Sequence, residues 1–116
     1  QQVQPSKLSG KIALPTLEGL LFINTDEVFY CESDGSYTRF FYEGGKPIII
    51  SKTLKEVEEV MEPKGFCRVH HSFLVNMRYI QRYIRGDGGE IVMTNGKNIP
   101  VSRNKKQEFL NYLERI

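Results

Sequence analysis

A chain of 116 residues, 40% hydrophobic and 26% charged, is the size of one domain and can bury roughly two thirds of its unfolded surface without covalent staples. Its two cysteines, Cys31 and Cys67, stand singly in apolar-rich runs, which argues against a disulfide scaffold or a zinc site and for reduced core residues. No apolar stretch approaches the roughly 18 residues needed to span a bilayer, so a cytoplasmic chain with no membrane segment is expected.

The net charge of +2 hides an asymmetry. Residues 64–106 carry nine Lys and Arg against two acids, whereas residues 1–63 carry six against ten. A polyanion such as nucleic acid is the first partner that such a basic segment implies. The competing reading is a solvated face that balances acids elsewhere.

The chain opens on Gln and residues 1–10 read as a linker, so a piece of a longer protein or a processed one is expected, with its domain over residues 11–116. Short aromatic and β-branched runs between turn residues then predict a mainly β fold. Lys11–Pro15 and Gly19–Ile23 make a first strand pair. Val28–Glu32 and Tyr37–Tyr42 make a second around Ser33-Asp34-Gly35-Ser36, and Ile48–Ile50 follows the turn Glu43-Gly44-Gly45-Lys46. Thr53-Leu54-Lys55-Glu56 fits a capping box, in which hydroxyl and carboxylate each satisfy the other residue's backbone N–H. It opens a helix over residues 53–62 with an apolar stripe of Leu54, Val57, Val60 and Met61 and a solvated face of Glu56, Glu58, Glu59 and Glu62.

Pro63 and Gly65 end that helix. Further on, Tyr79–Arg85 and Glu90–Thr94 are strands across Gly86-Asp87-Gly88-Gly89, and Asn95-Gly96 is a strong hairpin signal. Asn98–Val101 returns as a strand whose Pro100 belongs at an edge. Ser102 is placed to cap a second helix over residues 103–115 with Phe109, Leu110, Leu113 and Ile116 on its apolar face. Arg103, Lys105 and Lys106 fall in its first turn or in the loop before it, where each cation opposes the helix dipole at a cost of roughly 0.3 kcal/mol or more. An external anion explains them better.

Between the helices lies Phe66-Cys67-Arg68-Val69-His70-His71-Ser72-Phe73-Leu74-Val75-Asn76, where basic and polar groups interrupt strand-grade apolar residues. Adjacent strand residues point to opposite faces, so His70 and His71 are not expected to share a metal ion. His70 reads as a satisfied core or edge residue and His71 as an exposed one. A catalytic zinc needs three protein ligands, and the other candidates, Asp87 and Glu90, sit in a separate turn. The Gly-rich segments 44–45 and 86–89 lack the spacing of a phosphate-cradling loop. No metal, cofactor or catalytic residue is therefore expected, and the chain does not read as an enzyme. Three loop segments, Ser33–Arg39, Val69–Ser72 and Val101–Lys106, do end in hydrogen-bonding or cationic groups, as recognition loops on a β scaffold would.

Four blocks carry a resemblance: Val28-Phe29-Tyr30-Cys31-Glu32-Ser33 leading to Gly35-Ser36-Tyr37-Thr38; Thr53-Leu54; Phe66 to Asn76 followed by Ile80; and Asn95-Gly96 through Ile99-Pro100-Val101-Ser102-Arg103. From about Lys11 to Ile116 the chain resembles the LytTR-type DNA-binding domain, the output module of many bacterial response regulators. The resemblance implies an elongated stack of small antiparallel sheets with two short helices, and loops rather than a recognition helix entering the major groove of duplex DNA. It implies that Ser36, Tyr37 and Thr38 of one loop, His71 of the next, and Arg103, Asn104, Lys105 and Lys106 of the last meet DNA. Position 71 carries His where the family more often has Arg. An imidazole cannot make the two parallel bonds that a guanidinium makes to guanine.

The expected function is thus transcription regulation by sequence-specific binding to tandem half-sites, with self-association on DNA and an upstream receiver domain. The alternative is a protein-interaction module using the same loops. Salt separates the two, because neutralising several phosphates makes affinity fall steeply with ionic strength.

Overall fold

The computed structural model describes residues 10–116; of the expected linker, residues 1–9 lie outside the described residues. The strands are β1 (Lys11–Thr16), β2 (Gly19–Asn24), β3 (Val28–Asp34), β4 (Tyr37–Tyr42), β5 (Ile48–Ile50), β6 (Phe66–His70), β7 (Phe73–Asn76), β8 (Ile80–Ile84), β9 (Glu90–Met93) and β10 (Asn98–Pro100), and the helices are α1 (Leu54–Met61) and α2 (Arg103–Asn111). They form three antiparallel sheets: β1-β2, β5-β4-β3-β7-β6 and β10-β9-β8. The mainly β fold with two short helices is the one the residue patterns predict.

The five-stranded sheet is the middle layer, and its alternation feeds two cores. Cys31, Phe40, Phe66 and Leu74 pack with Leu54, Val57 and Met61 of α1 and with Leu14 and Ile23 of the β1-β2 hairpin. Their sequence neighbours Tyr30, Cys67 and Val75 point the other way, onto Ile91, Met93 and Ile99 of the three-stranded sheet and Phe109 of α2. A strand covered on both faces reads as a nearly continuous apolar run rather than a simple alternation. This is why Phe66–Asn76 is so dense in large apolar residues.

The capping box forms as expected: the Glu56 N–H donates to Thr53 Oγ1 at 3.2 Å and the Thr53 N–H to Glu56 Oε1 at 2.9 Å. These bonds hold the Glu56 carboxyl below its ordinary range. Two helical expectations need correction. Val60 is 53% exposed, so the buried stripe of α1 is Leu54, Val57 and Met61. The second helix ends at Asn111, where the Tyr112 N–H turns back to the Phe109 carbonyl at 3.0 Å and its hydroxyl donates to the Phe66 carbonyl at 3.2 Å. Tyr112 thereby stops the helix, and Ile116, expected on its apolar face, is fully exposed.

Asn76 closes the motif as a structural tie. It is buried, donates Nδ2 to the Val28 carbonyl at 2.9 Å and accepts the Arg78 N–H on Oδ1 at 3.0 Å. One side chain thus joins β3, β7 and the short turn that leads into β8.

Candidate nucleic-acid interface

Register places the three loop segments at one end of the five-stranded sheet. β3 ends at the tight turn of Gly35 and Ser36, with Asp34 opposite Tyr37, and Gly35 takes the left-handed conformation (φ 63°) that the two-residue turn requires. Antiparallel to β3, β7 begins with Phe73 opposite Glu32, so the His71-Ser72 turn emerges at the same end. The Ser33 N–H donates to the Ser72 carbonyl at 2.9 Å and fixes the two turns side by side. On the far side of β6, the Ser102 N–H donates to the Val69 carbonyl at 2.9 Å and anchors the start of α2 there. Tyr37, His71 and Arg103 therefore emerge at the same sheet end, in an order that runs from β4 across β3, β7 and β6 to the segment beyond β6.

Their surroundings differ. Tyr37 is 48% exposed. Thr38, expected among the contacting residues, is fully buried, and its hydroxyl donates to the Lys52 carbonyl at 2.7 Å. The strand alternation that turns Tyr37 outward turns Thr38 inward, so its part is to tie β4 to the segment entering α1. Beside Tyr37, the Arg39–Asp34 ion pair at 2.7 Å spans the hairpin.

His71 is exposed in the turn, as expected. Its separation from His70 is not. A register shift between Arg68 and His70 interrupts the regular alternation of β6, and the two rings lie 4.4 Å apart at 30° rather than on opposite faces. His70 Nδ1 accepts the Ser72 N–H at 3.1 Å, which requires an unprotonated nitrogen. Burial, and then the neighbouring His71 and Arg68, hold the His70 pKa below its ordinary value. No group of three or more His, Cys, Asp or Glu that could hold a metal occurs among the described residues. Cys31 and Cys67 are unbridged and buried, and burial pushes the Cys67 thiol up to about 12.

At the start of α2, Ser102 occupies the cap position but does not cap. Its hydroxyl donates to Asn104 Oδ1 at 2.8 Å, leaving the first-turn N–H groups without a side-chain acceptor. Arg103 is exposed and makes no ion pair among the described residues. Lys105 lies 3.7 Å from Glu108, and Lys106 Nζ donates to the Gly86 carbonyl at 3.2 Å.

A polar cleft of about 350 Å³ joins these parts, lined by Lys55 and Glu58 of α1 with Arg68, His71, Ser102, Asn104 and Lys105. It brings together His71, Asn104 and Lys105, which are expected to act together, and adds Lys55, Glu58 and Arg68, which are not among the expected contacts. Glu58 was assigned to a solvated face but turns to Arg68, with Oε1 2.9 Å from Nη1. Arg68, counted in the basic segment, is accordingly spent inside the protein. Gly88 was also missed. A Cβ there would lie 1.8 Å from the Val101 carbonyl oxygen, so the β8-β9 turn can press against the start of α2 only because residue 88 has no side chain.

The family model of the LytTr DNA-binding domain matches residues 18–114. The CO-responsive transcriptional regulator RcoM of Rhodospirillum rubrum is 32% identical over 96 residues, covering 80% of this chain and 40% of that protein. The sensory transduction protein LytT of Bacillus subtilis is 28% identical over 105 residues, covering 89% of this chain and 43% of that protein. The chain thus spans about two fifths of the length of these curated relatives. Among solved structures, the LytTr DNA-binding domain of a putative methyl-accepting/DNA response regulator from Bacillus cereus superposes with a TM-score of 0.78 at 25% identity, over 92% of this chain and 99% of that one. With the family match covering most of the chain and the fold shared throughout, the chain belongs to the LytTr DNA-binding domain family.

Proposed function

We propose that this domain reads duplex DNA with the row of loop residues at the end of the five-stranded sheet: Ser36 and Tyr37, then His71, then Arg103, Asn104, Lys105 and Lys106. The observation that carries the reading is the convergence of three sequence-distant segments at one sheet end, with Arg103, which makes no ion pair among the described residues, at its margin. A guanidinium can hold guanine O6 and N7 together, whereas Lys105 and Lys106 are point charges suited to phosphate oxygens. The Lys105 N–H is taken by the Ser102 carbonyl, but the Arg103 and Asn104 N–H groups, which have no side-chain acceptor among the described residues, add a second element suited to phosphate. Thr38 acts behind the surface, and Arg68 does not count toward the charge offered to DNA.

The setting we propose is the output end of a bacterial cytoplasmic response regulator with an upstream receiver, binding tandem half-sites with two copies. One small domain neutralises only a few phosphates, so a second copy about one helical turn away, roughly 34–36 Å, is the economical route to affinity. The test is titration at several salt concentrations against a duplex selected from a random pool by the wild-type chain. A steep fall of log affinity with log salt supports DNA as the partner. Failure to enrich any duplex, with shallow salt dependence, returns the loops to a protein-docking role.

A further inference from the structure

Arg68 lies in the motif that carries His71, yet it faces the protein. Its side chain is 16% exposed and that of Glu58 is 24% exposed. The guanidinium spends each nitrogen on a different acceptor: Nε donates to the His70 carbonyl at 2.8 Å, Nη2 to the His71 carbonyl at 2.6 Å and Nη1 to Glu58 Oε1 at 2.9 Å. Two successive carbonyls held by one rigid fork fix both peptide planes around His71, and with them the direction of its Cα–Cβ bond. The Ser72 N–H closes the other side of the turn on His70 Nδ1, and the Ser72 carbonyl is tied to β3.

We propose that Glu58 and Arg68 are positioning residues that preset the His71 turn for base reading, so that α1 governs sequence discrimination without touching DNA. This inference rests on the interface reading above. A preset turn loses less conformational freedom when it binds, and a planar five-donor fork holds it in a way that a lysine ammonium cannot. Glu58 lines the cleft beside Lys55, His71 and Lys105, so charge alone predicts that removing its carboxylate strengthens binding to a polyanion. Positioning predicts the opposite sign.

The experiment compares the full chain with Glu58→Ala, Glu58→Gln, Arg68→Lys and the double variant Glu58→Ala/Arg68→Lys. Each is titrated against the duplex selected by the wild-type chain and a scrambled duplex of equal length, and each is melted. Glu58→Ala and Arg68→Lys are expected to lose about tenfold on the selected duplex and to stay within about twofold on the scrambled one. Glu58→Gln, which keeps an acceptor oxygen, recovers part of the loss. The double variant loses no more than the worse single, because Glu58 acts through Arg68. Unchanged or tighter binding of the selected duplex by Glu58→Ala overturns the inference, as do equal losses on both duplexes. Should Arg68→Lys unfold, the two Glu58 variants decide alone, since Glu58 lies outside both cores. A wild-type chain that fails to prefer the selected duplex removes the interface reading itself, a result separable from a wild type that discriminates and a Glu58→Ala variant that discriminates equally well.

Discussion

Tyr37 and Thr38 are adjacent, yet one is 48% exposed and the other fully buried, so substitution should divide them. Thr38→Val keeps shape and removes the bond to Lys52, and it is expected to cost about 1 kcal/mol in thermal or denaturant unfolding. Tyr37→Ala should leave stability nearly unchanged and weaken DNA binding. The motif divides in the same way. Truncating Phe66, Val69 or Val75, all fully buried, to Ala should cost roughly 2–5 kcal/mol, while His71→Ala stays within about 0.5 kcal/mol. His70 adds a pH dependence. Its folded pKa lies below the ordinary value, so the folded state binds the proton less readily than the unfolded chain. Its contribution is full above pH about 6.5 and is lost as pH falls through the folded value. Melting temperature should therefore drop more steeply from pH 7 to pH 5 in the wild type than in His70→Gln; parallel curves would remove His70 from the pH response.

At the scale of elements, what could be read from sequence was local. Capping box, glycine turns and alternating strands each depend on residues a few positions apart, and those elements stand where their patterns put them. The misplaced features depend on partners far along the chain. Glu58 looked solvated because Arg68 is ten residues away on another element, and Val60 fits a helical stripe that no neighbour covers. Thr38 looked like a loop residue until β5 and Lys52 closed over it, while the irregular pairing of β6 hid the approach of His70 to His71. Gly86-Asp87-Gly88-Gly89 read as an ordinary turn, yet its third residue sets how closely that turn supports α2. Gly88→Ala must push back the Val101 backbone and is expected to cost about 1–3 kcal/mol, with a further loss on the selected duplex because the turn that supports Arg103 moves. A wild-type melting curve for Gly88→Ala would show the contact to be slack.

For the molecule as a whole, the middle sheet carries a core on each face, and the proposed recognition row occupies one of its ends. Family membership and the basic segment were legible in the chain, whereas the division of that segment into exposed and structural cations was not, because it depends on where Glu58 lies. Arg103 and Lys106 test that division in solution. Arg103→Ala should cost about 1–3 kcal/mol on the selected duplex and relax preference at one base position, while Lys106→Ala should weaken selected and scrambled duplexes alike and lower the salt slope by about one unit. Equal losses on both duplexes for Arg103→Ala would confine it to the backbone. Whether one sheet end is the DNA-reading face is decided by mapping backbone amide shifts as the selected duplex is added. The largest changes are expected at residues 36–37, 71–72 and 102–106, with little change over the β1-β2 hairpin. Changes centred on that hairpin, with residues 71 and 103 unmoved, would contradict that assignment.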